Sequence, residues 1–283
     1  MKKFAVLGHP VAHSLSPKMH AANFAAVGFD ATYEKFDVAP EDLLEFVRAK
    51  QAEGYSGLNI TVPHKIAVIK ILDRPDESVV RYGACNTLKF EEDGTISGYN
   101  TDVIGFVDGL AAHGFSIRGK NVVIIGCGGA GSALATCAAY EGAASLKVAD
   151  LRTESVDALV SRLKALGLGA DVQGLPVLDG TPSDAQKAIW GEAAAKADLV
   201  VNATPMGLHP GEPSALPPSA FHKGQFVLDI VPTKEFPPTA AAAVAAGATA
   251  TDGLEFLVGQ GARSFEIWTG VKADRKAMLA AIR

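Results

Sequence analysis

Asn121-Val-Val-Ile-Ile-Gly-Cys-Gly-Gly-Ala-Gly-Ser-Ala133 decides the fold of this chain. Four apolar residues, Val122–Ile125, predict a buried strand. Gly126 ends it, and the small residues that follow predict the start of a helix. The glycines at 126, 128 and 131 fit G-x-G-x-x-G. The first permits a sharp turn, the second lets a pyrophosphate approach the backbone, and the third lets the helix pack closely on the strand. Backbone N–H groups at the helix N-terminus then face the phosphates. A plain α/β turn is the other reading of such a stretch. A second strand, Leu146–Ala149, ends in Asp150, 24 positions after Gly126. An acid at about 20 residues from the turn is the usual partner of a ribose hydroxyl, so this favours dinucleotide binding.

Working outward, 283 residues suit one large or two ordinary domains. With 48% hydrophobic and 20% charged residues, the composition is that of a globular protein. The net charge is −5 and no basic block occurs, which argues against nucleic acid as a partner. No apolar run approaches the roughly 18 residues of a membrane span, so no membrane partner is expected. Gly8-His9-Pro10 breaks the N-terminal apolar stretch too early for a signal peptide. Cys85, Cys127 and Cys137 have neither metal nor disulfide spacing. Their odd number favours a reducing cytoplasm, and Cys127 and Cys137 read as packing residues.

Before the glycine turn, strands at Phe4–Leu7, Thr32–Val38 and Leu58–Val62 alternate with helices. The first helix opens at Ser16-Pro17 and stops at Gly28. The second runs from Leu43 to about Gln51, and a helical stretch follows Lys65 to Leu72. Such alternation predicts a mostly parallel sheet with ligands at the carboxyl ends of the strands. Asp93-Gly94 predicts a hairpin between Leu88–Phe90 and Thr95–Gly98. A helix from Val103 to Leu110 connects two domains. Beyond the turn, a helix at Glu154–Leu166, strands at Asp198–Val201 and Phe226–Ile230, a helix at Ala240–Ala246 and an amphipathic stretch at Leu254–Trp268 are expected.

A dinucleotide domain needs a second site that presents a small molecule to its nicotinamide. Ser14, Ser16, Thr61, Lys65, Asn86, Thr101 and Asp102 all fall in loops after strands. Neutral hydrogen-bonding groups with one lysine and one carboxylate suit a hydroxylated, anionic substrate. Lys65 can donate a proton to an alkoxide formed by hydride addition, and a helix start disfavours its ammonium. Asp102, also at a helix start, is favoured there as a carboxylate. Plainer readings stay open: Ser16 and Asp102 as helix caps, Lys65 as a surface lysine. His13, His20 and His64 fit no usual metal-ligand spacing, and no metal is expected.

His13-Ser-Leu-Ser-Pro17, Asn59-Ile-Thr-Val-Pro-His-Lys65, Gly83-Ala-Cys-Asn-Thr87, Asn100-Thr-Asp102, Gly126-Cys-Gly-Gly-Ala130, Asn202-Ala-Thr204, and Gln260 with Ser264-Phe265 and Trp268-Thr-Gly270 together resemble the shikimate dehydrogenase family. The resemblance runs in order over nearly the whole chain. It implies reversible reduction of 3-dehydroshikimate to shikimate by NAD or NADP, in aromatic amino-acid biosynthesis. It implies two α/β domains, the second of Rossmann type, with the active site in the cleft between them. Residues 1–102 with 254–283 would form the substrate domain and 103–253 the dinucleotide domain.

Carried over by motif, Ser14 and Ser16 bind the substrate carboxylate. Thr61, Asn86, Asp102 and Gln260 hold ring hydroxyls, with Thr101 beside them, and Lys65 and Asp102 form the catalytic pair. The cofactor set becomes Gly126, Gly128, Gly129, Ala130, Gly131, Asp150, Arg152, Thr204, Met206 and Gly253. Two departures stand out. Where the family usually carries a Tyr, this chain has Pro232-Thr233-Lys234. Where NADP-using members carry Asn-Arg-Thr, it has Asp150-Leu151-Arg152-Thr153. Asp150 repels a 2′-phosphate and accepts from a ribose hydroxyl, which resembles the NAD-using quinate/shikimate branch, while Arg152 still offers that phosphate a cation. Ser16, in place of the Thr that accompanies good use of quinate, favours shikimate. A quinate or dual enzyme is the runner-up, and a catalytically dead dinucleotide sensor is the rival from another class. A monomer or homodimer is expected.

Overall fold

The computed structural model describes residues 1–283 apart from Pro210, Pro232 and Lys234. Two of the three positions where the family Tyr is missed, Pro232 and Lys234, thus lie outside the described residues. The chain divides into two compact units, residues 1–108 with 257–283 and residues 109–256.

The first unit begins β1 (Lys2–Gly8), α1 (Ser16–Val27), β2 (Ala31–Asp37), α2 (Leu43–Ala52), β3 (Gly57–Ile60), β4 (Arg74–Pro75), α3 (Glu77–Tyr82), β5 (Thr87–Phe90), β6 (Ile96–Tyr99) and α4 (Thr101–Ala112). Its sheet has the order β2-β1-β3-β5-β6-β4. β1 is parallel to both β2 and β3. β5 is antiparallel to β3 and to β6. The sheet is therefore mixed where the helix–strand alternation predicts a mostly parallel one. For β6 the cause is local: the Asp93 carboxylate accepts from the Thr95 N–H and hydroxyl, closing the hairpin that sends β6 back along β5. Phe4 to Leu7 are buried on both faces of the sheet, as expected of a strand that reads as one apolar run. Leu7, Leu58, Ile60, Leu88 and Ile96 belong to the core on one side.

Two local expectations are corrected. Ser16 is the first residue of α1, not its cap; Leu15 holds the cap position with no side-chain bond, and the Ser14 Oγ accepts from the Ser16 N–H at 3.3 Å. The helix expected after Lys65 is a short 3-10 segment, Ala67–Ile71, preceded by a turn. A helix dipole of any size is absent there, so that reason for tuning Lys65 falls.

The second unit holds β7 (Asn121–Ile125), α5 (Gly129–Tyr140), β8 (Ser145–Ala149), α6 (Thr153–Ala165), β9 (Asp171–Gly174), α7 (Asp184–Ala194), β10 (Leu199–Asn202), β11 (Phe226–Asp229), α8 (Pro238–Ala245) and β12 (Thr249–Asp252). Its six strands are all parallel, in the order β12-β11-β10-β7-β8-β9. Counted from β7, that is the doubly wound dinucleotide-binding order, whose switch point lies between β7 and β10. Elements β9, α7 and β12 are not announced by the sequence. β9, Asp171-Val-Gln-Gly174, and β12, Thr249-Ala-Thr-Asp252, lack the apolar run that marks β10 and β11, and α7 carries Gly191 toward its end.

The chain ends in α9 (Gly253–Thr269) and α10 (Arg275–Ile282). Within the first unit, Trp268 stacks on Phe4 with ring centroids 4.6 Å apart. Its indole N–H donates to the Leu88 carbonyl at 2.8 Å. The Asn23 Oδ1 accepts from the Asp274 N–H at 2.8 Å, where α10 starts. Among the described residues no helix is long and apolar enough to cross a membrane.

Candidate active site

Sheet direction gathers the polar loops of the first unit. β1 and β3 run parallel, so the loop carrying Ser14 and Ser16 and the turn carrying Thr61 and Lys65 leave the same end. β5 runs the other way, and Asn59 pairs with Thr87, so Asn86 enters the sheet at that end. Thr87 pairs with Tyr99, so β6 delivers Thr101 and Asp102 there too.

Several groups hold the lysine turn. The Lys65 carbonyl accepts from the Cys85 N–H at 2.8 Å and the His64 N–H donates to the Thr61 carbonyl at 2.9 Å. The buried His64 ring meets the Val38 carbonyl through Nε2 at 2.8 Å. The Lys65 side chain is left to reach Asp102, and its Nζ donates to Oδ2 at 2.7 Å. Both side chains keep some exposure, 30% and 19%. A lysine and a carboxylate paired within reach of solvent can exchange a proton with a bound oxygen. The surface-lysine reading of Lys65 does not describe this pair.

Beneath the pair lies a buried hydroxyl and amide network. The Asn86 Oδ1 accepts from the Thr101 N–H at 2.7 Å and from the Thr101 hydroxyl at 3.1 Å. This ties down the first residue of α4, next to Asp102. The Asn86 Nδ2 faces the Gln260 Oε1 at 3.4 Å. The Ser264 hydroxyl meets those of Thr87 and Thr101 at 2.8 and 3.0 Å, and the Asn59 Nδ2 donates to it at 2.9 Å. Tyr33 donates to the Asn59 Oδ1 at 2.7 Å; burial pushes its phenol above the ordinary range, with the neighbouring Ser16 hydroxyl pulling the other way. Thr101 is fully buried, and its hydroxyl is engaged within this network. Gln260 reaches the site because α9 passes close to α4 at Gly105, where a Cβ would stand 2.6 Å from the Gln260 nitrogen.

Asn59, Thr87, Tyr33 and Ser264 join this network, and sequence reasoning assigns none of them a role. Thr87 and Ser264 are 177 positions apart, and nothing in a hydrophobic period marks such a contact. A further clamp is equally hidden. At the end of β2, Asp37 accepts from the His9 Nδ1 at 2.5 Å and from the Val11 N–H at 3.3 Å. Lys35 donates to the Ala12 carbonyl. The loop leading to Ser14 is thus gripped on three residues. The three histidines do not converge: His13 is exposed, His64 serves the lysine turn, and His20 is buried against Tyr33 at 4.3 Å.

In the second unit the glycine turn takes the expected form. Gly126 has φ +105 and Gly128 is the extended cap of α5. A Cβ on Gly131 would lie 1.8 Å from the Gly126 carbonyl oxygen, so only hydrogen fits where the helix crosses the strand end. No side chain caps α5, which leaves the N–H groups at Gly129 and Ala130 available to an anion. A pyrophosphate fits this cradle.

Asp150 is expected to face a ribose, yet it is also part of the turn. Its Oδ2 accepts from the Cys127 N–H at 2.8 Å. Its Oδ1 accepts from the Arg152 N–H at 3.1 Å and Nε at 3.4 Å. Oδ2, with one donor, retains a lone pair for a further one. Arg152 is 68% exposed beside it. Burial, with the Asp150 charge adding to it, pushes the Cys127 thiol up to about 12, in keeping with a packing residue. Thr204 and Met206 lie in the turn after β10, and Gly253 opens α9 directly after β12.

A unit with an acid–base pair over a buried polar network and a second, doubly wound unit with a phosphate cradle define a two-domain α/β protein of Rossmann type. The family model described as the shikimate dehydrogenase substrate binding domain matches residues 6–88. The model described as the shikimate 5′-dehydrogenase C-terminal domain matches residues 253–283. A relative from Moorella thermoacetica, shikimate dehydrogenase (NADP(+)), is 41% identical, covering 99% of this chain and 92% of its own. The structure of shikimate 5-dehydrogenase from Thermus thermophilus, in complex with NADP(H) and shikimate, matches with a TM-score of 0.83 and 33% identity, over 100% and 99% of the two chains. Quinate dehydrogenase from Corynebacterium glutamicum in complex with NAD matches with a TM-score of 0.85 and 32% identity, over 99% and 98%. The chain belongs to the shikimate dehydrogenase family.

Proposed function

We propose that this chain is an oxidoreductase that interconverts 3-dehydroshikimate and shikimate with a nicotinamide dinucleotide. The observation that carries the reading is the 2.7 Å Lys65–Asp102 pair standing over the Asn86, Thr101 and Gln260 network. Its support is the relative named shikimate dehydrogenase (NADP(+)) at 41% identity over 99% of the chain.

Ser14 and Ser16 receive the substrate carboxylate at the start of α1. Thr61, Asn86 and Gln260 hold the ring hydroxyls, and Thr101 keeps Asn86 and Asp102 in place from below. Gly126, Gly128, Gly129, Ala130 and Gly131 cradle the pyrophosphate; Thr204, Met206 and Gly253 line the remainder of the cofactor site. When bound, the nicotinamide supplies or accepts the hydride. In reduction, the Lys65 ammonium gives its proton to the oxygen of the reacting carbonyl, which becomes a hydroxyl. In oxidation, the Lys65 amine takes that proton back, and Asp102 steadies the ammonium that results. Absorbance at 340 nm, with shikimate against quinate and NADP against NAD, tests this. Absence of shikimate turnover with both dinucleotides overturns it, and turnover of quinate alone moves the assignment to the runner-up.

Two predictions belong here. Ser14→Ala and Ser16→Ala raise the KM for shikimate while changing kcat little, because the carboxylate is remote from the reacting carbon. Equal loss of kcat in steady-state assays removes the serines from the carboxylate site.

The second concerns the dinucleotide. Both NAD and NADP are used, NAD at least as well. Unit charges about 4 Å apart interact by about 4 kcal/mol at an effective dielectric of about 20, so Asp150 disfavours a 2′-phosphate. Arg152, paired to it and largely exposed, offsets part of this. Asp150→Ala therefore raises the NADP-to-NAD ratio of kcat/KM, and Arg152→Ala lowers it by weakening NADP alone. A strong wild-type preference for NADP, with an unchanged ratio in Asp150→Ala, sinks this assignment.

A further inference from the structure

The turn that carries Thr204 and Met206 hangs from one buried amide. Asn202, at the end of β10, is fully buried. Its Oδ1 accepts from the Thr204 N–H at 3.2 Å and from the Thr204 hydroxyl at 2.7 Å. Its Nδ2 donates to the Met206 carbonyl at 3.3 Å and to the Asp229 Oδ1 at 3.0 Å. The Thr204 Oγ1 in turn accepts from the Met206 N–H at 3.2 Å. The shape of the turn thus depends on which way the Asn202 amide points.

An amide can rotate by half a turn with little change of volume, exchanging oxygen for NH2. Flipped, Asn202 would aim NH2 at the Thr204 N–H and its oxygen at Asp229. The second clash is decisive, because a carboxylate only accepts. Asp229 is itself held: it sits at the end of β11, fully buried, and its Oδ1 also accepts from the Val231 N–H at 3.1 Å. A neutral amide at 229 carries an NH2 as well as an oxygen, so it can pair with Asn202 in either orientation, one of them at the loss of the Val231 N–H bond. A carboxylate pairs in only one.

We propose that Asp229 is a positioning residue for dinucleotide binding: it locks the Asn202 amide in one orientation and thereby shapes the Thr204–Met206 turn that meets the cofactor. This rests on the assignment of Thr204 and Met206 to the cofactor site.

The carboxylate is a costly choice for the fold. Burial lifts Asp229 to about 6, and the Asp252 carboxylate opposite it on β12 adds to the rise; the Val231 N–H, the Asn202 amide and the Thr239 hydroxyl on α8 pull the other way. A folded-state value above the unfolded one means that the native state binds the proton more tightly. Stability from this group is therefore lost as pH rises from the ordinary carboxylate range through about 6. The acid penalises the fold at pH 8 and not at pH 4.

The test sets stability against binding. In Asp229→Asn, Tm at pH 8 rises relative to wild type and the gain shrinks toward pH 4. The Kd of NADPH, read from its fluorescence with NADH in parallel, rises about 5–10-fold, the worth of about one net hydrogen bond. The KM for shikimate stays within about twofold. Asp229→Ala weakens NADPH at least as much. Opposite movement of Tm and affinity is the signature, since a merely structural residue moves both the same way. An Asn variant that fails to fold, loses Tm together with affinity, or binds NADPH as wild type does overturns the proposal. Wild-type protein that binds neither dinucleotide instead overturns the cofactor assignment beneath it.

Discussion

Lys65→Ala lowers kcat for shikimate oxidation by about 10²–10⁴-fold, the usual contribution of a positioned acid–base group, and leaves shikimate binding nearly intact. The split follows from geometry. The Lys65 Nζ is held by the Asp102 Oδ2 at 2.7 Å. The groups assigned to hold the substrate are fixed by other means: Asn86 by Thr101, Gln260 by the close crossing at Gly105, Ser14 by the loop that Asp37 grips. Removing the lysine amine deletes the group that takes the hydroxyl proton and disturbs none of these. Asp102→Asn separates the two halves of the pair: it keeps the first residue of α4 in place and removes the charge that steadies the ammonium. Stopped-flow and steady-state rates at 340 nm, with shikimate affinity measured by direct titration, check this. A Lys65→Ala enzyme within a few-fold of wild-type kcat ends the claim that this lysine moves the proton.

Gly131→Ala is the second large effect, and it acts through the backbone. The added methyl would stand 1.8 Å from the Gly126 carbonyl oxygen and 3.1 Å from the Ala203 Cβ. The first is main chain at the sharpest point of the turn, so α5 must move off β7. Overpacking of this kind costs about 1–3 kcal/mol, occasionally more. At about 2–4 °C per kcal/mol for a domain of this size, Tm falls by roughly 2–12 °C. Dinucleotide affinity falls with it, because the N–H groups of the first turn of α5 leave the phosphate position. The same substitution at Gly129, where a Cβ meets nothing within 4 Å, leaves Tm close to wild type. Thermal unfolding and NADPH titration of the two variants separate the positions. Equal behaviour at 129 and 131 would falsify the close-packing role of the third glycine.

The stretch from Asn121 to Ala133 was legible because its signal is entirely local. Four apolar residues need burial, and glycine is the residue that reaches φ +105 at Gly126. A helix must start where the turn releases its N–H groups. Asp102 was legible for a related reason, since Asn100-Thr-Asp precedes an apolar helix and an acid suits its first turn. The polar loops of the first unit could be picked out from sequence because each follows an apolar run. Their common purpose came from motif resemblance, not from spacing.

Other features depend on contacts between residues far apart in the chain. The antiparallel pairing of β5 with β3, which makes the first sheet mixed, joins segments some thirty residues apart, and pairing has no local period. The segment after Lys65 reads as a helix to Leu72 because apolar spacing in a five-residue 3-10 segment mimics one. The Ser264–Thr87–Asn59 network and the grip of Asp37 on the Ser14 loop join hydroxyls, amides and carboxylates whose types alone suggest solvent. Burial turns them into fixed donors and acceptors, because an unpaired polar group away from water is costly. Asp229 shows the same limit most plainly. In sequence it is a polar residue ending a strand; in the folded unit it is a buried acceptor whose partner, Asn202, comes from the neighbouring strand.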